Sequence, residues 1–448
     1  METLVSKDVE MAATFLERGE VIAIPTETVY GLAANGLSLE AVKKIFLLKN
    51  RPFSDPLILH VGGMEAVEAL GISLPLWARQ LIHRFWPGPL TLLLPKSSLI
   101  PEIVTAGLPR VAVRAPNHPL TQALLQRLPF PLAAPSANPF GAISPTTAEH
   151  VYRYFAGKIP FILEGGECEA GIESTIIGEE NGRLLIYRPG VVSKEEIEKV
   201  IGERVFTKSF SPKPEVPGQF PRHYAPRKPL LYGWQSPPLE PHASVVLFRP
   251  PSSLPSHRYV HFLSYEDNVE EAASRLYATL HNCEQEPTEF ILVQTIPLDG
   301  IGEALNDRLR RAATPSLFTI GHSNHRWEDF MDLLRRYEIA AIIDIRKHPY
   351  SPKFPHFSQS FLQKDLYENG IMYEWQPNLS NLVQKIERIS KGYERIALLC
   401  AEGEPNRCHR FRLSDELTQA GYTIFHILPE KRLQLHRAPI SLGLEERI

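Results

Sequence analysis

The sequence is poor in cysteine, has no apolar run long enough to cross a membrane, and carries almost no excess of either charge. Four cysteines in 448 residues are too few and too scattered for a disulfide framework, which fits a reducing cytoplasm. The longest apolar runs, such as Ile396–Cys400, have only the length of a strand, and no secretory signal is visible. A net charge of −3 excludes a uniformly basic nucleic-acid-binding protein. We therefore expect a cytoplasmic protein without a membrane segment.

Proline is abundant instead, with 40 residues, and its clusters mark the joints between domains. A chain of 448 residues is expected to hold roughly two to four domains. Dense Pro and Gly predict an extended linker over 206–229, and Thr314-Pro315 marks a second joint. The predicted domains are therefore 1–205, 230–313 and 314–448. Strands alternate with helices in them, which predicts a multidomain α/β protein.

A group of polar residues follows the first buried strand. Val21–Ile24 is short and apolar, and Pro25 is expected to end this strand because proline cannot donate a ladder hydrogen bond. The segment Thr26–Tyr30 then displays two hydroxyl groups, a carboxylate and a phenol. Polar groups at the end of a buried strand are typical of a small-molecule pocket in an α/β sheet. An ordinary polar turn would account for the same residues equally well.

Two cations follow the next predicted helix. Lys49 and Arg51 lie on a segment broken by proline and are well placed to grip phosphates, although a solvated pair that ends a helix is the simpler interpretation. Gly166–Gly171 has the glycine spacing of a Walker loop, but Ile172 stands where the phosphate-binding lysine is required. No G-x-G-x-x-G motif follows a strand. A nucleotide would therefore be bound without either familiar glycine-rich loop.

Eight motifs follow one another within residues 25–190: Pro25-Thr-Glu-Thr-Val-Tyr-Gly31, Lys49-Asn-Arg51-Pro52, Pro56-Leu-Ile-Leu-His60, Trp86-Pro-Gly-Pro89, Val111-Ala-Val-Arg114, Ala134-Pro-Ser-Ala-Asn138, Glu173-Ser-Thr175 and Arg188-Pro-Gly190. In this order they resemble the YrdC-like threonylcarbamoyl-AMP synthase family. The resemblance implies a strongly twisted mixed sheet with helices and a large concave positive cavity, followed by a small Rossmann-like α/β accessory domain. It implies an enzyme that uses ATP with Mg²⁺, L-threonine and bicarbonate, and that releases pyrophosphate. Partner proteins would pass the product to the adenosine beside the tRNA anticodon; direct contact with tRNA stays open.

The same resemblance implies which residues bind the substrates. For L-threonine they are Thr28, His60, Arg114, Ala134 and Ser174. For ATP they are Lys49, Arg51, Asp55, Arg110, Ser136, Ser144, Arg188 and Tyr224. No covalent nucleophile is implied, and Arg51 and Arg114 would act by positioning the substrates. Asp55 departs from the family's usual Asn, and its carboxylate would repel phosphates unless Mg²⁺ intervened.

The predicted linker ends in Arg222-His223-Tyr224, whereas an inert linker would be polar and featureless. Its ending resembles the linker of the family's longer, two-domain members, and the resemblance implies a lid with His223 and Tyr224 beside the nucleotide. A spacer between domains is the alternative. The domain 230–313 shows no catalytic constellation, so we expect it to support the lid or to regulate.

The third predicted domain gathers polar residues at the ends of its strands. Its βαβ pattern predicts a mostly parallel sheet, in which ligands bind at the carboxyl ends of strands. The candidate residues are His322, Ser323, Asp344, Arg346, Cys400, Glu402, Cys408, His409 and Arg410. The segment resembles a widespread family of uncharacterised domains with the motifs Gly-His-Ser, Asp-x-Arg, Cys-x-Glu and Cys-His-Arg, which implies no function.

Three interpretations of this last site stay open. A metal site would use the cysteines and histidines, but C-x₇-C-H is not a usual zinc spacing. A thiolate nucleophile would be activated by neighbouring His and Arg, but neither cysteine fits the phosphatase pattern C-x₅-R. An anion-binding or nucleic-acid-binding site without chemistry is the third.

Three functions of the whole chain compete as well. The leading hypothesis is a threonylcarbamoyl-AMP synthase in 1–205 with an accessory domain. A non-catalytic RNA-binding protein could use the same positive cavity, although the near-neutral net charge and the clustering of hydroxyls around cations disfavour it. The third hypothesis places the main enzyme in 314–448.

Overall fold

The computed structural model describes residues 2–208, 214–253, 256–350 and 352–437. Its strands form three sheets of 11, 4 and 6 strands, and helices flank them, so the predicted α/β class is confirmed. Part of the predicted linker, 209–213, lies outside the described residues. Within the described residues, no helix combines the length and the apolar character needed to span a bilayer.

The first sheet is mixed, with strand order β1-β8-β2-β3-β7-β4-β6-β5-β9-β10-β11. Its strands are β1 (Leu4–Ser6), β2 (Ile22–Ile24), β3 (Gly31–Asn35), β4 (Ile58–His60), β5 (Leu90–Pro95), β6 (Arg110–Arg114), β7 (Leu132–Ala133), β8 (Phe161–Leu163), β9 (Thr175–Glu180), β10 (Arg183–Arg188) and β11 (Phe206–Thr207). Its helices are α1 (Val9–Glu17), α2 (Leu39–Lys49), α3 (Met64–Ala69), α4 (Leu76–Phe85), α5 (Glu102–Thr105), α6 (Pro119–Arg127), α7 (Ala148–Phe155) and α8 (Lys194–Ile201).

Alternation along β2 explains why this sheet is covered on both faces. Ala23 joins the core that contains the buried face of α2, whereas Ile22 and Ile24 point to the opposite side and pack with α1 and α6. The strand ends before Pro25, as predicted, and pairs antiparallel with β3. The segment 25–30 therefore lies at the edge where β2 ends and β3 begins.

The other two sheets are built from parallel strands, apart from one antiparallel edge strand, β21. The second, ordered β12-β15-β13-β14, contains β12 (Leu230–Trp234), β13 (Ala243–Leu247), β14 (Val260–Phe262) and β15 (Phe290–Gln294), with helices α9 (Val269–Gln285) and α10 (Gly302–Ala312). The third, ordered β18-β17-β19-β16-β20-β21, contains β16 (Ser316–Gly321), β17 (Ala341–Asp344), β18 (Met372–Trp375), β19 (Ile396–Cys400), β20 (Thr423–Leu428) and β21 (Arg432–Leu435). Its helices are α11 (Trp327–Arg336), α12 (Gln359–Glu368), α13 (Leu382–Ser390) and α14 (His409–Gln419).

The second and third sheets share one hydrophobic core. The rings of Phe290 and Phe425 lie 5.0 Å apart across this boundary, and the guanidinium of Arg395 lies 4.1 Å from the ring of Trp234. Buried Glu240 accepts hydrogen bonds from the hydroxyl of Tyr337 and from a backbone amide of β21. Apolar burial of this kind fixes the third sheet against the second. The division into domains at 205, 229 and 313 stays a prediction.

Candidate functional site

A cavity opens where strands of the first sheet end. It is lined by Thr26, Thr28, Val29, Gly31, Arg51, Ile58, His60, Arg114, Ala134, Pro135, Ser136, Glu173, Ser174, Arg188, Pro217, Gly218, His223 and Tyr224. Every residue predicted for L-threonine is among them, and so are four of the eight predicted for ATP.

Arg114 is fixed at one side of the cavity by several contacts. Its Nη1 donates to Thr28 Oγ1 at 2.8 Å, its Nη2 lies 2.6 Å from Glu27 Oε2, and its Nε donates to the carbonyl of Gly88. His60 stands opposite Arg114 in the parallel β4–β6 register. Burial, followed by the charge of Arg114, lowers the pKa of His60 to about 3, so this imidazole is neutral at physiological pH. A fixed cation beside a hydroxyl and a neutral ring is suited to hold a carboxylate.

Ser174 and Arg188 form the neighbouring wall. The guanidinium of Arg188 donates from Nη2 to the Ser174 carbonyl at 2.8 Å and to its hydroxyl at 3.0 Å. The Ser174 hydroxyl also lies 2.7 Å from the hydroxyl of Thr91. Arg188, Arg114 and Arg51 are each at most 6% exposed, so three guanidinium groups border one enclosed space. Arg51 and Arg114 are each paired with a buried carboxylate, so the arrangement offers an anionic ligand preoriented donors rather than a large net positive charge.

Lys49 and Asp55 do not line the cavity, although both are predicted to bind ATP. The Lys49 ammonium donates to the backbone carbonyls of Ser136 and Asn138, and it thereby fixes the loop that follows β7. Asp55 Oδ2 lies 2.8 Å from Arg51 Nη2 and is fully buried. Burial, opposed by Arg51, raises the pKa of Asp55 to about 6. Lys49 and Asp55 therefore hold residues around the cavity in place and do not belong to its lining.

Arg110 and Ser144 also lie outside the lining. Arg110 is the first residue of β6 and Arg114 is the last, so the two residues lie at opposite ends of this strand. Arg110 instead donates to Glu215 at 2.6 Å and to the hydroxyl of Tyr187 at 2.7 Å. Ser144 donates its hydroxyl to Glu173 Oε1 at 2.7 Å. Contact between either residue and a nucleotide is therefore not supported by its placement.

The end of the predicted linker covers the cavity. Pro217, Gly218, His223 and Tyr224 contribute to its lining. A side chain at Gly218 would place its Cβ close to the Tyr224 hydroxyl, so the close approach of the segment to itself requires glycine there. Arg311 of α10 holds this segment, since its Nη1 donates to the Phe220 carbonyl and its own carbonyl accepts from the His223 amide. The segment is thus anchored from the second sheet.

A buried polar cluster joins the cavity to the second sheet, and the sequence analysis did not predict it. The Glu173 carboxylate lies 3.0 Å from the hydroxyl of Tyr277 in α9 and 3.1 Å from Arg308 Nε in α10. The Arg308 guanidinium also lies 5.4 Å from the ring centre of Tyr224, which stacks against Tyr277. Tyr277 and Arg308 carry no local motif, because their significance depends on a contact with a residue more than 100 positions earlier.

The third sheet separates its nine candidate residues into two groups. Asp344 binds Arg346 through both oxygens, at 2.8 and 2.6 Å, and accepts from the hydroxyl of Tyr373 at 2.7 Å. His322 stacks on Phe357, and burial followed by the charge of Arg346 lowers its pKa to about 4. Ser323 follows His322, and its amide donates to the carbonyl of Ala401 at 2.7 Å.

The second group lies at the end of β19 and the start of α14. The sulfur atoms of Cys400 and Cys408 are 2.8 Å apart, and His409 Nδ1 lies 3.7 and 3.8 Å from them. Arg410 is buried and donates to the backbone carbonyls of Glu402 and Gly403. Glu402 is exposed, and it contributes to this group through its backbone.

Comparison with known proteins accounts for all three parts of the chain. A family model described as telomere recombination matches residues 14–190, a model of the threonylcarbamoyl-AMP synthase C-terminal domain matches 192–314, and a domain of unknown function, DUF488, matches 326–387. The chain is 40% identical over 334 residues to a threonylcarbamoyl-AMP synthase of Pyrococcus abyssi, with 68% of this chain and 94% of the relative covered. The corresponding enzyme of Bacillus subtilis is 39% identical over 320 residues, with 68% and 92% covered.

A solved structure gives the same result. The crystal structure of Pyrococcus abyssi Sua5 with L-threonine is 36% identical and superposes with a TM-score of 0.64, covering 70% of this chain and 98% of that protein. A structure of the same protein with one histidine and one tyrosine replaced by alanine gives a TM-score of 0.61 at 35% identity, with 70% of this chain and 96% of that one covered.

Proposed function

Because this chain belongs to the threonylcarbamoyl-AMP synthase family, we propose that its cavity joins L-threonine, bicarbonate and ATP into threonylcarbamoyl-AMP. The observation that carries the proposal is the convergence of Arg51, Arg114 and Arg188 on one enclosed cavity edged by hydroxyl groups. Such a cavity presents preoriented guanidinium donors to anions. Bicarbonate, the carbamate and the triphosphate are all anions, so the same donors can serve each of them.

The reaction balances without any residue being modified. The amine of L-threonine attacks bicarbonate to give a carbamate and water, and a carbamate oxygen then attacks the α-phosphorus of ATP. The bond from that phosphorus to the bridging oxygen breaks, and pyrophosphate leaves. Positioning and charge neutralisation supply most of the catalysis in such transfers. Enclosure by the segment 217–224 also keeps water from the carbamate, which would otherwise lose carbon dioxide.

We assign the two sides of the cavity to the two substrates. Arg114, Thr28 and the neutral ring of His60 would hold the carboxylate and hydroxyl of threonine. Arg51 and Arg188 would face the phosphates. Arg114 is held by Glu27, so its charge is oriented before substrate arrives, and no rearrangement is needed at the moment of reaction.

The part of the lining that the structure describes offers no separate binding site for Mg²⁺. Among the described residues, Glu173 is the one carboxylate that lines the cavity, and its oxygens already accept from Ser144, Tyr277 and Arg308. Asp55 is turned away and paired with Arg51. Mg²⁺ commonly binds through substrate phosphates and retains water, so we propose that it enters as part of the ATP complex. We propose a cytoplasmic site of action, where the substrate ATP is available.

The product is a reactive mixed anhydride, and we propose that partner proteins use it to modify the adenosine beside the tRNA anticodon. A purely RNA-binding role is less well supported, because the cavity is enclosed by 217–224 and does not form an open track for a phosphate backbone.

Pyrophosphate release tests the proposed function directly. The purified chain with ATP, L-threonine and bicarbonate is expected to release pyrophosphate, and omission of either L-threonine or bicarbonate should reduce the rate to background. Release that continues without threonine would indicate simple ATP hydrolysis and contradict the proposal. Salt-dependent tRNA binding without any nucleotide turnover would favour the RNA-binding alternative instead.

Replacing Thr28 by valine should weaken threonine binding selectively. The substitution keeps the shape but removes the hydroxyl that we assign to L-threonine and that also accepts from Arg114 Nη1. A hydrogen bond to a charged group is worth roughly 1.5 kcal/mol, so we expect the KM for L-threonine to rise about tenfold. The KM for ATP should change much less. Thr418→Val in α14, which removes only a bond to the Ser414 carbonyl, is the matched control. Equal rises in both KM values would contradict the assignment.

A further inference from the structure

Cys400 and Cys408 lie together on the third sheet, outside the cavity described above. Cys400 is the last residue of β19 and Cys408 is the N-cap of α14, with seven residues between them. Their sulfur atoms are 2.8 Å apart. Cys400 is 3% exposed, whereas Cys408 is partly accessible to solvent. Two free thiols are therefore in contact, and Cys408 is the more accessible of the two to solvent.

The small number of ligands argues against a structural zinc site at the two sulfur atoms, because such a site usually has four. Among the described residues, His409 is the one further histidine, cysteine or carboxylate grouped with this pair, and it is exposed, which leaves a structural site short of the usual four ligands. Two thiols without a metal are suited to redox chemistry instead.

We propose that Cys400 and Cys408 form a redox-active dithiol that undergoes thiol–disulfide exchange with small disulfides. The Cys408 thiolate attacks one sulfur of the disulfide RSSR, a mixed disulfide forms, and the first RS⁻ leaves. Cys400 then loses its proton and attacks the Cys408 sulfur, which releases the second RS⁻. Two protein thiols are oxidised to one disulfide, and RSSR is reduced to two RSH once the released thiolates take up the two protons.

The surroundings of Cys400 and Cys408 indicate which of the two sulfur atoms attacks first. Cys408 is the accessible sulfur, and the Arg410 amide at the start of α14 lies 3.5 Å from it. The hydrogen bond from Cys400 lowers the pKa of Cys408 against the opposing effect of burial, and the Arg410 amide and charge add to the lowering. The same contact and burial raise the pKa of Cys400. Cys408 is therefore the attacking thiolate, and Cys400 is the resolving thiol, close enough to react without a large movement.

His409 and Arg410 complete the environment. His409 Nδ1 lies 3.7 Å from the Cys400 sulfur and is open to solvent, so it can accept the proton that Cys400 must lose. Buried Arg410 is held by two backbone carbonyls and supplies a fixed positive charge. Neither residue contributes to the synthase cavity, so this activity does not rest on the proposed function of the first sheet.

The test counts thiols in the 448-residue chain. The reduced chain is incubated without oxygen with oxidised glutathione, then quenched, denatured, titrated for free thiols and mapped by mass spectrometry. We expect two of the four thiols to disappear, with Cys400 and Cys408 linked, and dithiothreitol to restore them. Cys400→Ser should accumulate one glutathione on Cys408, and Cys408→Ser should react at least tenfold more slowly. Because Cys168 and Cys283 are buried, the double variant Cys168→Ser/Cys283→Ser should form the same link as wild type.

Several results would overturn the proposal. The wild-type chain keeping all four thiols would do so, as would glutathione remaining on Cys408 without an internal link. One tightly bound metal ion per chain that protects both thiols would replace the dithiol by a metal site. An unfolding midpoint near that of wild type shows that the cysteine variants are folded, and the wild-type measurement decides the proposal even if one variant does not fold.

Discussion

Replacing Arg51 by methionine is expected to lower kcat/KM for ATP in threonine-dependent pyrophosphate release by about 100-fold or more. Arg51 lines the cavity, and its guanidinium is oriented by Asp55 and by the Pro56 carbonyl at 2.7 Å. Loss of one preoriented donor to a developing charge commonly reduces a rate by about 100-fold to 1000-fold. The KM for L-threonine should change less, which is the reverse of the result expected for Thr28→Val.

The buried partner of Arg51 makes a sharper control possible. In the single variant Asp55 would be left buried without its guanidinium, and such a carboxyl tends to take up a proton. The double variant Arg51→Met/Asp55→Asn removes both charges and should keep a Tm near that of wild type while activity stays lost. Asp55→Asn alone keeps the arginine and should retain activity within a few-fold. Recovery of activity in the double variant would mean that Arg51 supports the fold and does not contact ATP.

The family resemblance carried by the motifs implied residues that line one cavity, and these residues lie near the ends of strands. Thr28, His60, Arg114 and Ser174 each lie beside or at the end of a short apolar strand, and strand ends meet at one edge of a sheet. The prediction that Pro25 ends β2 is confirmed for the same local reason. Residue type and neighbours were sufficient there.

The same motifs do not show which way a side chain turns. Lys49 and Arg51 stand two residues apart, yet Arg51 faces the cavity and Lys49 caps the loop after β7. Asn50 between them has a left-handed backbone with φ of 52°, which reverses the chain direction at the end of α2. The sequence shows two cations near a proline. The turn that directs their side chains to different places depends on how the end of α2 is packed.

Contacts between residues of different sheets could not be predicted from the sequence either. The pairing of Glu173 with Tyr277 and Arg308 joins residues more than 100 positions apart, and neither α9 nor α10 carries a pattern other than that of an amphipathic helix. In the third sheet the strand ends were predicted, but the division into an Asp344–Arg346 pair and a Cys400–Cys408 pair depends on side-chain rotamers. Hydrophobic periodicity predicts which helix or strand a residue belongs to, but it does not predict which side chain that residue contacts.

Replacing Arg308 by methionine should both destabilise the protein and reduce its activity. Arg308 is 1% exposed and provides the positive charge beside the Glu173 carboxylate, besides donating to the Pro189 carbonyl at 2.7 Å. Breaking a buried ion pair from one side typically costs about 3 to 5 kcal/mol, so we expect the free energy of unfolding, measured by urea titration, to fall by about 3 kcal/mol. Activity should fall more than about tenfold, because Arg308 also lies against the ring of Tyr224.

Two further variants distinguish an effect on protein stability from an effect on the residues of the cavity. Arg310→Met removes an exposed arginine two residues away on the same helix and should leave both properties near wild type. Arg308→Met/Glu173→Gln removes both buried charges, which should restore most of the lost stability, since a neutral replacement for a buried pair costs little. If activity stays low in that stable double variant, the Glu173–Arg308 pair contributes to the reaction beyond its effect on stability. If activity returns with stability, Arg308 only supports the fold, and the second sheet contributes to the reaction through Arg311 alone or not at all.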